Sequence, residues 1–177
     1  MYASTILQLR PVTIQDIDNI HKLHSLPQTD KYNTLGIPND IHQTEDIVQE
    51  WLQQMDKQTK HVFCIENKSG DFVGIIGMNM GKPNYRNAEV WYKIDLYHWG
   101  KGFATEAVKA LLSFGFHELN LHRIEAGCAT ENIASAKVLE KCGFIKEGMS
   151  RKILPIRGEW KDAYKFAILE EDYKSTK

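Results

Sequence analysis

The stretch that most limits what this chain can become is Trp99-Gly100-Lys101-Gly102-Phe103-Ala104-Thr105-Glu106-Ala107. Two glycines stand there between a strand pattern and a helix pattern. Upstream, Ala88-Glu89-Val90-Trp91-Tyr92-Lys93-Ile94 has the β-branched and aromatic content of a strand. Downstream, Ala104, Ala107, Val108, Leu111 and Phe114 recur at helical spacing. The glycines permit a tight turn, and the first-turn N–H groups of the following helix have no partners within it. Those donors and the helix dipole favour a phosphate. An ordinary strand-to-helix connection would use the same glycines for geometry alone, and the turn by itself does not separate the two readings.

The neighbourhood rejects the commonest nucleotide loops. A dinucleotide fold wants G-x-G-x-x-G and an acidic residue about 20 residues on, at a strand tip. Here Thr105 occupies the third glycine position, and Glu125 lies inside a predicted strand. No G-x-x-x-x-G-K-[ST] occurs. The formal net charge of -1 argues against a dedicated nucleic-acid binder. No apolar run approaches the ~20 residues that cross a membrane. The start, Met1-Tyr2-Ala3-Ser4-Thr5, lacks the regions of a signal peptide. Cys64, Cys128 and Cys142 are odd in number and widely spaced, so they read as reduced thiols of a cytoplasmic protein. His21 and His24 have no convergent ligands and no H-E-x-x-H occurs, so no metal is expected.

Along the 177 residues the pattern reads as one α/β domain, 1–177, long enough for a real core. A strand is expected over Thr5–Val12, then a helix over Ile14–Ser25 capped by Thr13, with Ile17, Ile20, Leu23 and His24 inward. Leu26–Ile41 reads as a loop with Pro27, Gly36 and Pro38, and Thr44 as the cap of a second helix. That helix turns Ile47, Val48, Trp51, Leu52 and Met55 inward. His61–Glu66 and Phe72–Met80 predict a hairpin around Lys68-Ser69-Gly70-Asp71, and Arg86–Ile94 a strand leading to the glycine turn. A helix to about Glu118, a strand His122–Cys128 and a helix Asn132–Cys142 come next, the last stopped by Gly143-Phe144. Ile145–Leu154 and Trp160–Leu169 predict a final antiparallel pair.

In that order the elements and residues resemble the GNAT superfamily of acetyl-CoA-dependent N-acetyltransferases. Trp99-Gly100-Lys101-Gly102-Phe103-Ala104 corresponds to its pyrophosphate loop, with Trp99 departing from the usual Gln or Arg. The departure is familiar in the ribosomal-protein N-acetyltransferase-like branch. Two further blocks are similar to that branch: Asn132-x-x-Ser135-x-x-Val138-Leu139-Glu140-Lys141-Cys142-Gly143-Phe144, and Gly158-Glu159-Trp160-Lys161-Asp162 with Tyr164 and Leu169 after it. Arg10-Pro11 opens the chain as family members often do. The resemblance implies an α/β (α+β) fold, a mixed, mostly antiparallel central sheet flanked by helices, and acetyl-CoA as cosubstrate without a metal. It admits a homodimer without deciding it.

Under that resemblance the strand end Tyr92-Lys93-Ile94 pairs with the pantetheine arm through backbone groups. Gly100, Lys101, Gly102, Phe103, Ala104 and Thr105 supply amides to the pyrophosphate. Lys101 and Lys109 are as readily solvated lysines as phosphate partners. Asn132 is at once an N-cap and a candidate pantetheine partner, and Ser135 a first-turn residue or a donor near the thiol. The tyrosine that many members use as general acid is replaced by Leu139. Ser135 is the substitute, directly or through water. Glu89 is the candidate base, set against a structural ion pair and ranked above His98. Tyr32, Leu35, Trp91 and Trp160 are candidate acceptor walls between the Leu26–Ile41 loop and the Leu154–Trp160 turn. Three functions stay open: transfer to a peptide α-amine, transfer to a small amine such as a polyamine, amino-sugar or amino acid, and a non-catalytic acyl-CoA-binding module.

Overall fold

Apolar residues at alternate strand positions and on single helix stripes produce a sheet covered on both faces. A computed structural model describes residues 2–3 and 6–175, so Thr5, the expected start of the first strand, lies outside the described residues. The strands are β1 (Tyr2–Ala3), β2 (Leu7–Pro11), β3 (Lys60–Asn67), β4 (Phe72–Met80), β5 (Asn87–Ile94), β6 (Arg123–Ala129), β7 (Ile145–Ile156) and β8 (Glu159–Leu169). The helices are α1 (Ile17–His24), α2 (Pro27–Asp30), α3 (Ile41–Asp56), α4 (Phe103–His117), α5 (Ile133–Lys141) and α6 (Glu170–Ser175). The sheet order is β1-β2-β3-β4-β5-β6-β8-β7. Each neighbouring pair in that order is antiparallel except β5 with β6. The expected mixed, mostly antiparallel sheet is therefore the one observed.

Two clusters hold the layers together. On one face, Val108, Leu111 and Leu112 of α4 and Leu139 of α5 pack on Ile76, Met78, Val90, Ile124 and Phe166. On the other, Ile20 and Leu23 of α1 and Val48 and Trp51 of α3 cover Val62, Cys64 and Ile75. Each fully buried aliphatic side chain contributes about 1.5–3 kcal/mol. Arg10 staples β2 to β3 and to the turn before α1: its guanidinium donates to both oxygens of Asp16 (2.9 and 2.8 Å) and to Glu66 (3.0 and 2.8 Å). Burial pushes the Asp16 carboxyl up, but the bonds from Arg10 and Thr13 outweigh it and hold the pKa below the ordinary value.

Some boundaries differ from the sequence expectation. Thr13 precedes a 3-10 turn, Ile14–Asp16, before α1 begins. α3 starts at Ile41, with Asp40 accepting from the Gln43 N–H at 3.0 Å. Thr44 is a fully buried residue of that helix and bonds His21 at 2.8 Å. In the first turn of α3 only Ile41 is apolar and the other inward residue, Thr44, is polar, so no apolar stripe marks the start. The expected Leu26–Ile41 loop contains the one-turn helix α2, with Pro27 in its first turn.

Candidate active site

The site begins where two parallel strands part. β5 and β6 pair from Asn87↔Arg123 to Val90↔Ala126 and no further. β5 runs on to Ile94 beside β4, and β6 runs on to Ala129 beside β8. In the β4–β5 ladder the Asp95 N–H reaches the Val73 carbonyl at 2.8 Å. Antiparallel alternation then turns the backbone groups of Trp91 and Lys93 toward β4 and those of Tyr92 and Ile94 toward the gap. Gly74 makes this course possible: a Cβ there would collide with the Lys93 carbonyl oxygen. The Ile94 carbonyl accepts from the Trp99 indole at 2.8 Å. Trp99, where the sequence departs from the usual loop, thus ties the loop to the strand end.

Gly100 (φ 72°) and Gly102 (φ 84°) both lie in the left-handed region that favours glycine. The first helical bond of α4 runs from the Glu106 N–H to the Gly102 carbonyl, 3.1 Å. The N–H groups of Phe103, Ala104 and Thr105 therefore have no partner in the helix. Across the gap, α5 starts at the end of β6. Asn132 caps it, its side-chain oxygen accepting the Ser135 N–H at 3.2 Å. The Tyr92 hydroxyl and the Ser135 hydroxyl bond each other at 2.8 Å, tying β5 to the first turn of α5 across the gap. Burial raises the Tyr92 phenol well above its ordinary pKa, and the Ser135 bond offsets this only in part. It is a neutral donor at any physiological pH.

A cavity of about 1220 Å³ runs through the gap from one face of the sheet to the other. On the α4–α5 side it meets Gly100, Gly102, Phe103, Ala104, Thr105, Asn132 and Ser135. On the α1–α3 side it meets Tyr32, Leu35, Trp51, Glu89, Trp91 and Lys93. Glu89 is exposed to this cavity, opposite Glu125 in the parallel register. Desolvation by the walls, then the Glu125 charge, raise its pKa. Glu125 itself is paired with Arg123 at 2.9 Å, and Arg123 also holds Glu147.

The residues singled out from sequence thus gather along one passage, with Lys101, Lys109 and Trp160 outside it. Leu139, in the usual tyrosine position, is a core residue that also meets the cavity, with an apolar side chain there. Trp160, an expected acceptor wall, is 59 % exposed near the β7–β8 turn, opposite Pro155, and lies outside the cavity. Lys93 turns its backbone into the ladder, so the expected contribution of its main chain to the gap gives way to that of its side chain. That ammonium is buried, 9 % exposed, and makes no hydrogen bond. Nothing in a strand-like run of residues signals such a side chain. Asp162 gains a structural role: its carboxylate accepts the Lys152 N–H at 2.8 Å, where Lys152 has φ 49°. This fixes a bulge between Ser150 and Leu154 that brings Ile153 and Leu154 to the cavity. Among the described residues no group of three or more His, Cys, Asp or Glu could hold a metal, and no helix is long and apolar enough to cross a membrane.

Comparison with known proteins gives the same answer as the geometry. The model of a family described as an acetyltransferase (GNAT) domain matches residues 7–145. A curated relative, the uncharacterized N-acetyltransferase p20 of Bacillus licheniformis, is 34% identical over 168 residues, 94% of each chain. An acetyltransferase (GNAT family) structure from Bacillus anthracis superposes with a TM-score of 0.85 at 30% identity, covering 96% of this chain and 98% of that one. The spermidine N-acetyltransferase of Vibrio cholerae, solved with CoA and spermine, superposes with a TM-score of 0.87 at 25% identity, covering 97% and 99%.

Proposed function

The chain belongs to the GNAT acetyltransferases, which take their acetyl group from acetyl-CoA, and we propose that it passes that group to a primary amine by direct attack. The observation that carries this reading is the passage through the parted strands, with phosphate-seeking amides on one side and a carboxylate on the other. We read residues 1–177 as one catalytic domain. Its free thiols suit a reducing compartment such as the cytoplasm.

The residues present fit the donor. The amides of the Gly100–Thr105 turn and of the first turn of α4 suit the pyrophosphate. The backbone groups of Tyr92 and Ile94 that face the gap suit the amides of the pantetheine arm. The Asn132 cap uses its side-chain oxygen and leaves the NH₂ group as a donor. Acetyl-CoA supplies the activated thioester carbonyl. A backbone N–H of β5 in the gap is the donor available to that carbonyl oxygen as charge develops.

Glu89 accepts the proton that the attacking amine must lose, directly or through water. The nitrogen forms its bond to the acetyl carbon as the carbon–sulfur bond breaks. The Tyr92–Ser135 pair donates a proton to the departing thiolate, the task for which Leu139 has no chemistry. The acceptor comes from the α1–α3 side, between Tyr32, Leu35 and Trp91. Spermidine, the substrate of the Vibrio cholerae relative, marks a small amine as the first acceptor class to test. A peptide α-amine is the second, and similarity to a putative ribosomal N-acetyltransferase of Bacillus subtilis supports it.

Acetyl-CoA incubated with small amines and peptides, with free thiol measured, tests the reading. Amine-dependent thiol release is expected, and tight acetyl-CoA binding without it would leave a non-catalytic acyl-CoA-binding module instead. Glu89→Gln should lower kcat by about 100-fold and remove the acidic limb of the rate profile. That limb rises with pH because Glu89 works only when deprotonated. Retained turnover across pH in this variant would exclude Glu89 as the base.

A further inference from the structure

The acceptor side of the cavity carries an uncompensated positive charge. Lys93 projects there from β5 between the cavity and α2, buried and without a hydrogen bond. Its electrostatic partner is Asp30, 3 % exposed. Asp30 is shared: Arg157 donates to its Oδ2 at 3.3 Å and to the Pro27 carbonyl at 3.1 Å, and its Oδ1 makes no hydrogen bond. Lys93, Asp30 and Arg157 together therefore leave one positive charge at the cavity wall. His24, 1 % exposed beside them, adds no negative charge. A buried ammonium with no hydrogen bond costs several kcal/mol, so a site that retains one has a use for it.

The wider face has the same sign. Lys60 and Lys165 also line it and enter no salt bridge among the described residues. Of the three carboxylates on that face, Glu125 and Glu147 share Arg123, so that trio keeps one negative charge and Glu89 adds a second. A polycation would meet the ammonium groups of Lys31, Lys60, Lys93 and Lys165 against two negative charges there. An acceptor with a negative group would find a desolvated partner in Lys93, while its amine stayed near Glu89.

We infer that the acceptor is a small primary amine bearing a carboxylate, and that the Lys93 ammonium binds that carboxylate. This rests on the acetyl-transfer reading and narrows its substrate class. The amine attacks the thioester as before, and the carboxylate takes no part in bond making. Burial lowers the Lys93 pKa to about 8, offset by Asp30, and an arriving carboxylate restores the charged form.

Matched pairs test this: L-phenylalanine against phenethylamine, and 5-aminopentanoate against pentylamine, with spermidine as a fifth acceptor. A carboxylated member should exceed its twin in kcat/KM by about tenfold or more. Lys93→Met should erase that margin, read as the ratio of KM values within each pair, and Lys93→Arg should keep part of it. Spermidine or the plain amines winning in the unaltered protein would overturn the inference, whatever the variants do. So would a Lys93→Met loss equal for both members of a pair. If no amine releases thiol, acetyl transfer itself fails. Calorimetric titration of L-phenylalanine and 5-aminopentanoate into the CoA-loaded protein then decides the Lys93 site separately: binding weakened about tenfold by Lys93→Met supports it, and no binding refutes it.

Discussion

The two faces of β5 are built on opposite plans. Ala88, Val90, Tyr92 and Ile94 point toward α4 and α5, where they join a continuous apolar cluster and the Tyr92 hydroxyl finds Ser135. Glu89, Trp91 and Lys93 point the other way, toward α1 and α3, and two of the three are ionisable. On the first face, in the reading proposed above, the glycine turn, the first-turn amides of α4 and the Asn132 cap hold a long ligand by its backbone and its phosphates. On the second, Lys93 Nζ and the nearby His24 Nδ1 and Asp30 Oδ1 are buried without hydrogen-bond partners. Each such group costs stability unless water or a ligand answers it. In the reading proposed above, the donor side offers preformed amides, whereas the acceptor side takes a ligand that answers Lys93.

That contrast can be broken one face at a time. The largest effect is expected from Gly102→Val, which places a β-branched residue at φ 84° and misaligns the first-turn amides of α4. Acetyl-CoA affinity should fall by at least about tenfold in a calorimetric titration, with carboxylate binding on the other face retained. Gly74→Ala acts on both faces, because the new methyl meets backbone rather than a flexible side chain. A stability loss of about 1–3 kcal/mol in denaturant titration is expected, together with weaker acetyl-CoA binding. Tyr92→Phe should lower kcat by about tenfold while leaving KM for acetyl-CoA nearly unchanged, since the ring still packs and only the proton donor is lost.

The smallest effect reads the acceptor face without any ligand. Burial, with Lys93 and His21 adding repulsion, lowers the His24 pKa to about 3 from an ordinary 6.5. The unfolded chain then binds a proton that the folded one refuses between those values. Stability from this group is full above pH 6.5 and is lost as pH falls below it, by about 1 kcal/mol per pH unit at first. His24→Leu should flatten that part of the unfolding profile between pH 6.5 and 5. An unchanged slope would show that His24 is protonated in the folded state.

Much of this molecule is legible in the sequence, and the reason is local. The glycine turn, the β3–β4 hairpin and the α4 and α5 stripes depend on residues close in sequence, and periodicity records them directly. The Asp40 cap and α2 leave no such record, because the inward Thr44 of the first α3 turn is polar and α2 is too short for a period. Trp160 looks like an acceptor wall in sequence because an aromatic residue near a turn does not say on which side of a bulge it falls. Leu139 reads as a missing acid, but the Tyr92–Ser135 bond that stands in its place joins residues 43 positions apart.

Residues 99–107, with the blocks at 132–144 and 158–162, determined the family, the fold and the donor, because backbone geometry around glycine and a helix start is written in adjacent residues. The tertiary structure decided where the strands part, which face each side chain of β5 meets, and which charges go unanswered. Lys93 is the clearest case. In sequence it is one lysine in a strand, and only the packing of α1, α2 and the β7–β8 turn around it removes its water and leaves its charge for a ligand.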